Sequence, residues 1–201
     1  NYLCQRYTGQ RNIQVSTTVQ IAANDSGFNL FEVVPTRRTG SAASANIQVG
    51  VADQGNFDSF YRNNYDPALA SNQYTVTTAA GTPDTYEIRD GGGTLLQSGD
   101  YVAGNKIPFN GLELTLDLPA GGAAQDFVLD PPQNNNILDG MSDFITALRD
   151  PNISADDFQI KVADATSNMK NDRLNVDQGL GEIGGRMNSL EQVLGSSGSL
   201  H

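Results

Sequence analysis

The sequence predicts an α+β chain, in which an antiparallel β domain, sandwich or barrel-like, precedes an α-helical segment of a partial helical bundle. Three observations predict it. Short apolar and polar alternations, punctuated by Gly, Pro, Asn and Asp, fill the first two thirds of the 201 residues. No helical pattern intervenes between them, which argues against a parallel α/β sheet. After Pro132 the apolar spacing changes from two to three and four.

Asn12-Ile-Gln-Val-Ser16 and Thr17-Thr-Val-Gln-Ile-Ala22 alternate and are expected to pair. Asn24-Asp-Ser-Gly27 is a turn, because Asn, Asp and Gly accept left-handed or side-chain-capped backbone. Phe28 to Val34 fits either a strand or one helical turn. The Thr, Ser and Ala-rich stretch from Pro35 to Gly55 holds one expected strand, Asn46 to Val51. Tyr74 to Thr78 and Thr85 to Arg89 flank a turn at Ala80 to Asp84, and Asp90-Gly-Gly-Gly93 turns the chain into Thr94 to Gln97. Lys106 to Phe109 and Leu112 to Leu118 flank Asn110-Gly111, the strongest short hairpin signal in the chain. Asp126 to Leu129 is the last expected strand.

Ile137, Leu138, Met141, Phe144, Ile145 and Leu148 follow at helical spacing, and Asp150-Pro151 stops that helix. Ser154-Ala-Asp-Asp157 then starts a second, longer one with a capping-box-like pattern and an acidic first turn. Its apolar positions are Phe158, Val162, Ala165, Met169, Val176, Leu180, Ile183, Met187, Leu190 and Leu194, close to a heptad seam interrupted at Asp172. Gly179, Gly181, Gly184 and Gly185 lie inside it. At ~1 kcal/mol each relative to Ala they cost a lone helix about 4 kcal/mol. The helix therefore makes sense packed against neighbours through Met169, Val176, Leu180, Ile183, Met187 and Leu190. The expected domains are residues 1–132 (β), 133–194 (helical) and 195–201, a flexible tail that reads as linker or cloning remnant.

Composition excludes several functions. Twelve Lys plus Arg against 23 Asp plus Glu give a net charge of −11, which repels the phosphates that a nucleic-acid or anionic-membrane partner presents. No apolar run approaches the ~18 residues of a membrane span. One Cys and one His leave nothing for a disulfide, a His-dependent metal site or a His-based triad. No catalytic, cofactor-binding or metal residues are expected, and the chain does not read as an enzyme. Glu87, Asp90 and Asp100 lack the oxygen spacing of a calcium loop, and Asp90 opens a glycine turn. Gly91 to Gly93 lacks the lysine of a phosphate loop. Cys4 reads as incidental. Tyr61, Tyr65 and Tyr74 near Arg62 fit core and edge packing better than a glycan or partner surface.

Several segments, in order, resemble the flagellar hook-associated proteins of bacteria, in particular the hook-filament junction family, hook-associated protein 3. Tyr7-Thr-Gly9, Arg11 to Ser16, Asn24-Asp-Ser-Gly27 and Phe31 are similar to that family's entry into its outer domain. Tyr74 to Val76, Tyr86-Glu-Ile88, Ile107 to Gly111, Pro119-Ala-Gly121 and Asp126-Phe-Val128 are similar to the β block of flagellar axial proteins. The segment Gly184-Gly-Arg-Met-Asn-Ser-Leu-Glu191 resembles a Gly-x-Arg-x-Asn-x-Leu-Glu pattern, carried here by Gly184, Arg186, Asn188, Leu190 and Glu191 with one extra glycine, Gly185.

The resemblance implies a structural protein of the extracellular flagellum, secreted unfolded by type III export and joining hook to filament by helix packing and subunit assembly. It implies contacts with hook-associated protein 1, flagellin and copies of itself in the full-length protein. The present chain is then expected to be a monomeric fragment without the terminal helices. A hook-associated protein 1 or flagellin outer-domain fragment shares the β block. An extracellular carbohydrate-binding or adhesin β domain would share the acidic, amide-rich strands.

Overall fold

Alternation is carried through into burial along the central strands. In the computed structural model, which describes residues 9, 11–15, 19–25 and 27–198, Leu112, Leu114 and Leu116 are buried while Glu113 and Thr115 between them are not. The described residues form two compact units, one from Arg38 to Pro132 and one combining the chain up to Arg37 with the chain from Gln133.

The second of these begins with β1 (Asn12–Gln14), β2 (Gln20–Ala22), α1 (Gly27–Phe31) and β3 (Val34–Pro35). Strands β1 and β2 pair antiparallel as expected, with Ile13 opposite Ile21. Of the two possibilities for Phe28 to Val34, a helical turn forms first and a two-residue strand follows it.

Unit Arg38–Pro132 contains β4 (Gly40–Ala42), β5 (Ile47–Val51), α2 (Gln54–Asn64), β6 (Asn72–Ala79), β7 (Thr85–Asp90), β8 (Leu95–Asp100), β9 (Lys106–Phe109), β10 (Leu112–Leu116) and β11 (Gln125–Leu129). They make a five-stranded sheet, β4-β11-β6-β7-β8, and a three-stranded sheet, β5-β10-β9, all pairs antiparallel. The inner faces share one core, in which Val76, Ile88, Phe127, Phe109 and Leu114 are fully buried. The sheets are not closed into a barrel. Between β8 and β9, Gln97 Nε2 donates to the Tyr86 hydroxyl (2.7 Å) and to the Pro108 carbonyl (2.9 Å), a side-chain bridge where a ladder would run.

Helix α2 was not expected. Asp53 caps it by accepting from Asn56 N–H at 3.1 Å, and Phe57, Phe60 and Tyr61 pack into the shared core. The Asn110-Gly111 turn forms as expected, with both residues at positive φ (48° and 86°). It also seats α2, because the Gly111 carbonyl accepts from Ala52 N–H (2.9 Å) and Asp53 N–H (3.0 Å). A Cβ at Gly111 would lie 2.4 Å from Asp53 O and Phe57 N.

After Pro132 come β12 (Asn134–Asn135), α3 (Ile137–Arg149) and α4 (Ala155–Gly198). Strand β12 pairs with β3, so the chain around Val34 and Pro35 belongs with the helices. A β domain running from residue 1 does not describe this grouping; the β unit starts at Arg38. The tail differs as well, since α4 continues through Gly198. Cys4, Tyr7, Thr8, Ser16 to Thr18, Ser26 and Ser199 to His201 lie outside the described residues. Among the described residues no helix is long and apolar enough to cross a membrane.

Candidate functional site

Helix α4 starts where the Ser154 pattern places it. Ser154 Oγ accepts from Asp157 N–H at 3.0 Å and donates to Asp157 Oδ2 at 2.7 Å, while Asp156 and Asp157 face the positive end of the dipole. From there the helix carries two different faces.

The first face is polar and fully engaged. Asp164, Asn168, Asn171 and Asn175 recur at spacings of four, three and four, so they stack along one side. Asp164 accepts from Arg37 Nε at 2.7 Å, and Asn168 Oδ1 accepts from Arg37 N–H at 3.2 Å. Asn171 Nδ2 donates to Pro35 O at 2.6 Å, and Asn175 Nδ2 to Leu30 O at 3.1 Å. Gly179 continues the row and is buried against Leu30; a Cβ there would stand 2.6 Å from Leu30 Cδ2. Further along, Arg186 donates to the Asp25 carboxylate and to Ala22 O (3.3 Å). The segment from Ala22 to Arg37 is thereby pinned along the helix by hydrogen bonds from backbone and side chains that would otherwise need water.

The second face is the apolar seam, and much of it has no cover. Met169, Leu180, Ile183, Met187 and Leu194 are between 42% and 69% exposed, while Val176 and Leu190 are half-buried. On α3, Leu138, Met141, Ile145 and Leu148 step by three, four and three and are equally exposed. Single exposed apolar side chains are ordinary; here they form rows at heptad spacing on two adjacent helices. Among the described residues, nothing lies within 4 Å of a Cβ built on Gly181, Gly184 or Gly185. Of the four glycines only Gly179 meets a neighbour.

Within the motif resembling the axial-protein helix, Arg186 reaches Asp25, Leu190 is half-buried in the seam, and Gly184, Asn188 and Glu191 are exposed. The polar row of α4 was missed in the sequence. Its signal was present as three Asn and one Asp at helical spacing, a pattern without an apolar moment to draw attention to it. Asp172 sits in the seam itself, half-buried, and burial raises its carboxyl above the usual carboxylate range.

The other candidates resolve into structure. Asp90 Oδ1 accepts from Thr94 N–H (2.8 Å) and Gly92 N–H (2.9 Å), an Asx-type turn whose backbone donors, Thr94 foremost, hold the carboxyl below its ordinary value. Glu87 pairs with Arg89 at 2.7 Å. Tyr61 and Tyr74 are core residues, 4% and 5% exposed, with Tyr65 stacked on Tyr61 at 4.7 Å. Burial, foremost, pushes the Tyr61 hydroxyl up to about 12, and it donates to Asp130 O at 2.6 Å. These tyrosines do not present a glycan platform.

No protein-family model matches the sequence, and no curated protein matches it significantly. Among solved structures, the chain is similar to the flagellar junction protein FlgL of Legionella pneumophila, at 20% identity and a TM-score of 0.53, covering 95% of this chain and 62% of that one. It is similar likewise to FlgL of Xanthomonas campestris, at 15% identity and a TM-score of 0.53, covering 94% and 61%. The chain thus spans somewhat over three fifths of the length of these two proteins, and what the likeness shows is that it has their fold.

Proposed function

We propose that the chain is part of a structural protein of the bacterial flagellar junction, of the hook-associated protein 3 kind, which joins hook to filament by helix packing. The observation that carries this reading is the uncovered heptad seam on α4, found on a chain whose fold is that of FlgL. In this account α4 packs through Met169, Val176, Leu180, Ile183, Met187 and Leu190 against helices of the full-length protein and of neighbouring subunits. The β unit, acidic and polar at its surface, stays soluble. Work is done by assembly, without a reaction or a cofactor.

Hook-associated protein 1, flagellin and further copies of the full-length protein are the partners this reading assigns. The location is the extracellular flagellum, reached by export of the unfolded chain. Deleting the full-length gene in its bacterium tests it. The expected result is filaments shed into the medium and swimming restored by the gene in trans; firmly attached filaments in the deletion strain would refute the role.

A further inference from the structure

The seam carries one residue that does not belong in an apolar interface. Asp172 lies three residues after Met169 and four before Val176, at the position where the heptad calls for an apolar side chain. It lines a concavity with Ile137 and Met141 from α3, Ala165 and Met169 from α4, and Val34. The remaining lining residues are Pro35, Thr36, Asn135, Asn136, Gly140 and Asn168, so among the described residues Asp172 is the one charged group there. Among the described residues no hydrogen bond or ion pair reaches its carboxylate. Met141 and Met169, which line it, are 46% and 47% exposed and belong to the exposed apolar rows of α3 and α4.

We infer that the helix covering this seam presents a Lys or Arg from within its own apolar stripe, whose aliphatic stem lies over Met141 and Met169 and whose cation pairs with Asp172. The inference rests on the packing role proposed above and names the chemistry of the partner. A long basic side chain fits because it has an apolar body and a charged tip. A lone half-buried charge in a seam, once a helix covers it, selects register and partner, at a cost in stability that a matching charge offsets. A second copy of α4 meeting this one in parallel register sets Asp172 against Asp172, which the same charge opposes. The occupant we infer is instead a different helix, carrying the opposite sign.

Selection from a display library tests this. The library members are amphipathic helices about four heptads long, with Leu and Ile in the stripe and every amino acid at one central stripe position. They are selected on the immobilised chain, on Asp172→Asn and on Asp172→Leu, with helical content of each variant checked by circular dichroism. The expected result is enrichment of Lys and Arg by on the order of tenfold on the unsubstituted chain, the effect of about 1.4 kcal/mol, and loss of that enrichment on both variants. Apolar winners on all three would overturn the inference and leave the packing seam standing. No enriched helix on any of them would remove the packing role and the inference together. A dimer of the unsubstituted chain in sedimentation that Leu180→Asp abolishes would place a second copy on the seam and also overturn it.

Discussion

Arg186 and Asp25, 161 residues apart in the chain, form an ion pair in which the side chains are only 21% and 15% exposed. It joins the turn after β2 to the far part of α4, and the turn in turn holds the chain before β1. Asn24 Oδ1 accepts from Arg11 N–H (2.7 Å) and its Nδ2 donates to Gly9 O (3.2 Å). Two short motifs that resemble the flagellar family separately are thus two ends of one contact.

Removing that contact has a local consequence. Arg186→Ala leaves the shielded Asp25 carboxylate without its partner and is expected to cost about 2 kcal/mol. Hydrogen exchange should show faster exchange of the amides of β1, β2 and the Asn24 turn, with the strands of unit Arg38–Pro132 unchanged. Equal acceleration in both units would contradict the assignment.

The Asn110-Gly111 turn separates conformational cost from steric cost. Gly111→Ala meets both a positive φ and a backbone contact 2.4 Å away, so a loss of about 3 kcal/mol or more is expected in denaturant unfolding. Gly93→Ala has a similar φ of 82° with nothing within 4 Å. Only about 1 kcal/mol should be lost there.

Asp172 should make the chain by itself less stable at neutral pH. Its folded-state pKa is raised by burial, so the folded state binds the proton more readily than the unfolded one. The penalty is present above the folded value and disappears as pH falls through that value to below the ordinary carboxylate range. Asp172→Asn is therefore expected to raise Tm at pH 7 and to leave it little changed near pH 3. A Tm gain that persists undiminished in acid would show that the charge is not its cause.

How far the sequence revealed this architecture depends on the kind of signal each element carries. Strands such as β10, with its unbroken Leu112, Leu114, Leu116 alternation, and the turn at Asn110-Gly111 were legible, because period and turn chemistry agree. Helix α2 was not, since Gly55, Asn56, Asn63 and Asn64 are poor helix formers and masked the Phe57, Phe60, Tyr61 spacing; tertiary burial of those rings outweighs local propensity. Helix α4 was legible from heptad spacing, which also places Met169, Val176, Leu180, Ile183, Met187 and Leu190 along one side of it. The pinning of residues 22–37 along its polar side was not, because hydrogen bonds such as Asn171 to Pro35, 136 residues apart, leave no periodic trace in the earlier segment.

The central claim is that the uncovered seam of α4 assembles the flagellar junction. The most direct measurement is filament retention by a bacterium whose full-length gene carries Leu180→Asp together with Met187→Asp, two seam residues 61% and 57% exposed in this chain. The account predicts normal export of the protein into the medium, a loss of attached filaments counted by electron microscopy, and no swimming. Filaments attached in normal number with both charges in place would contradict it.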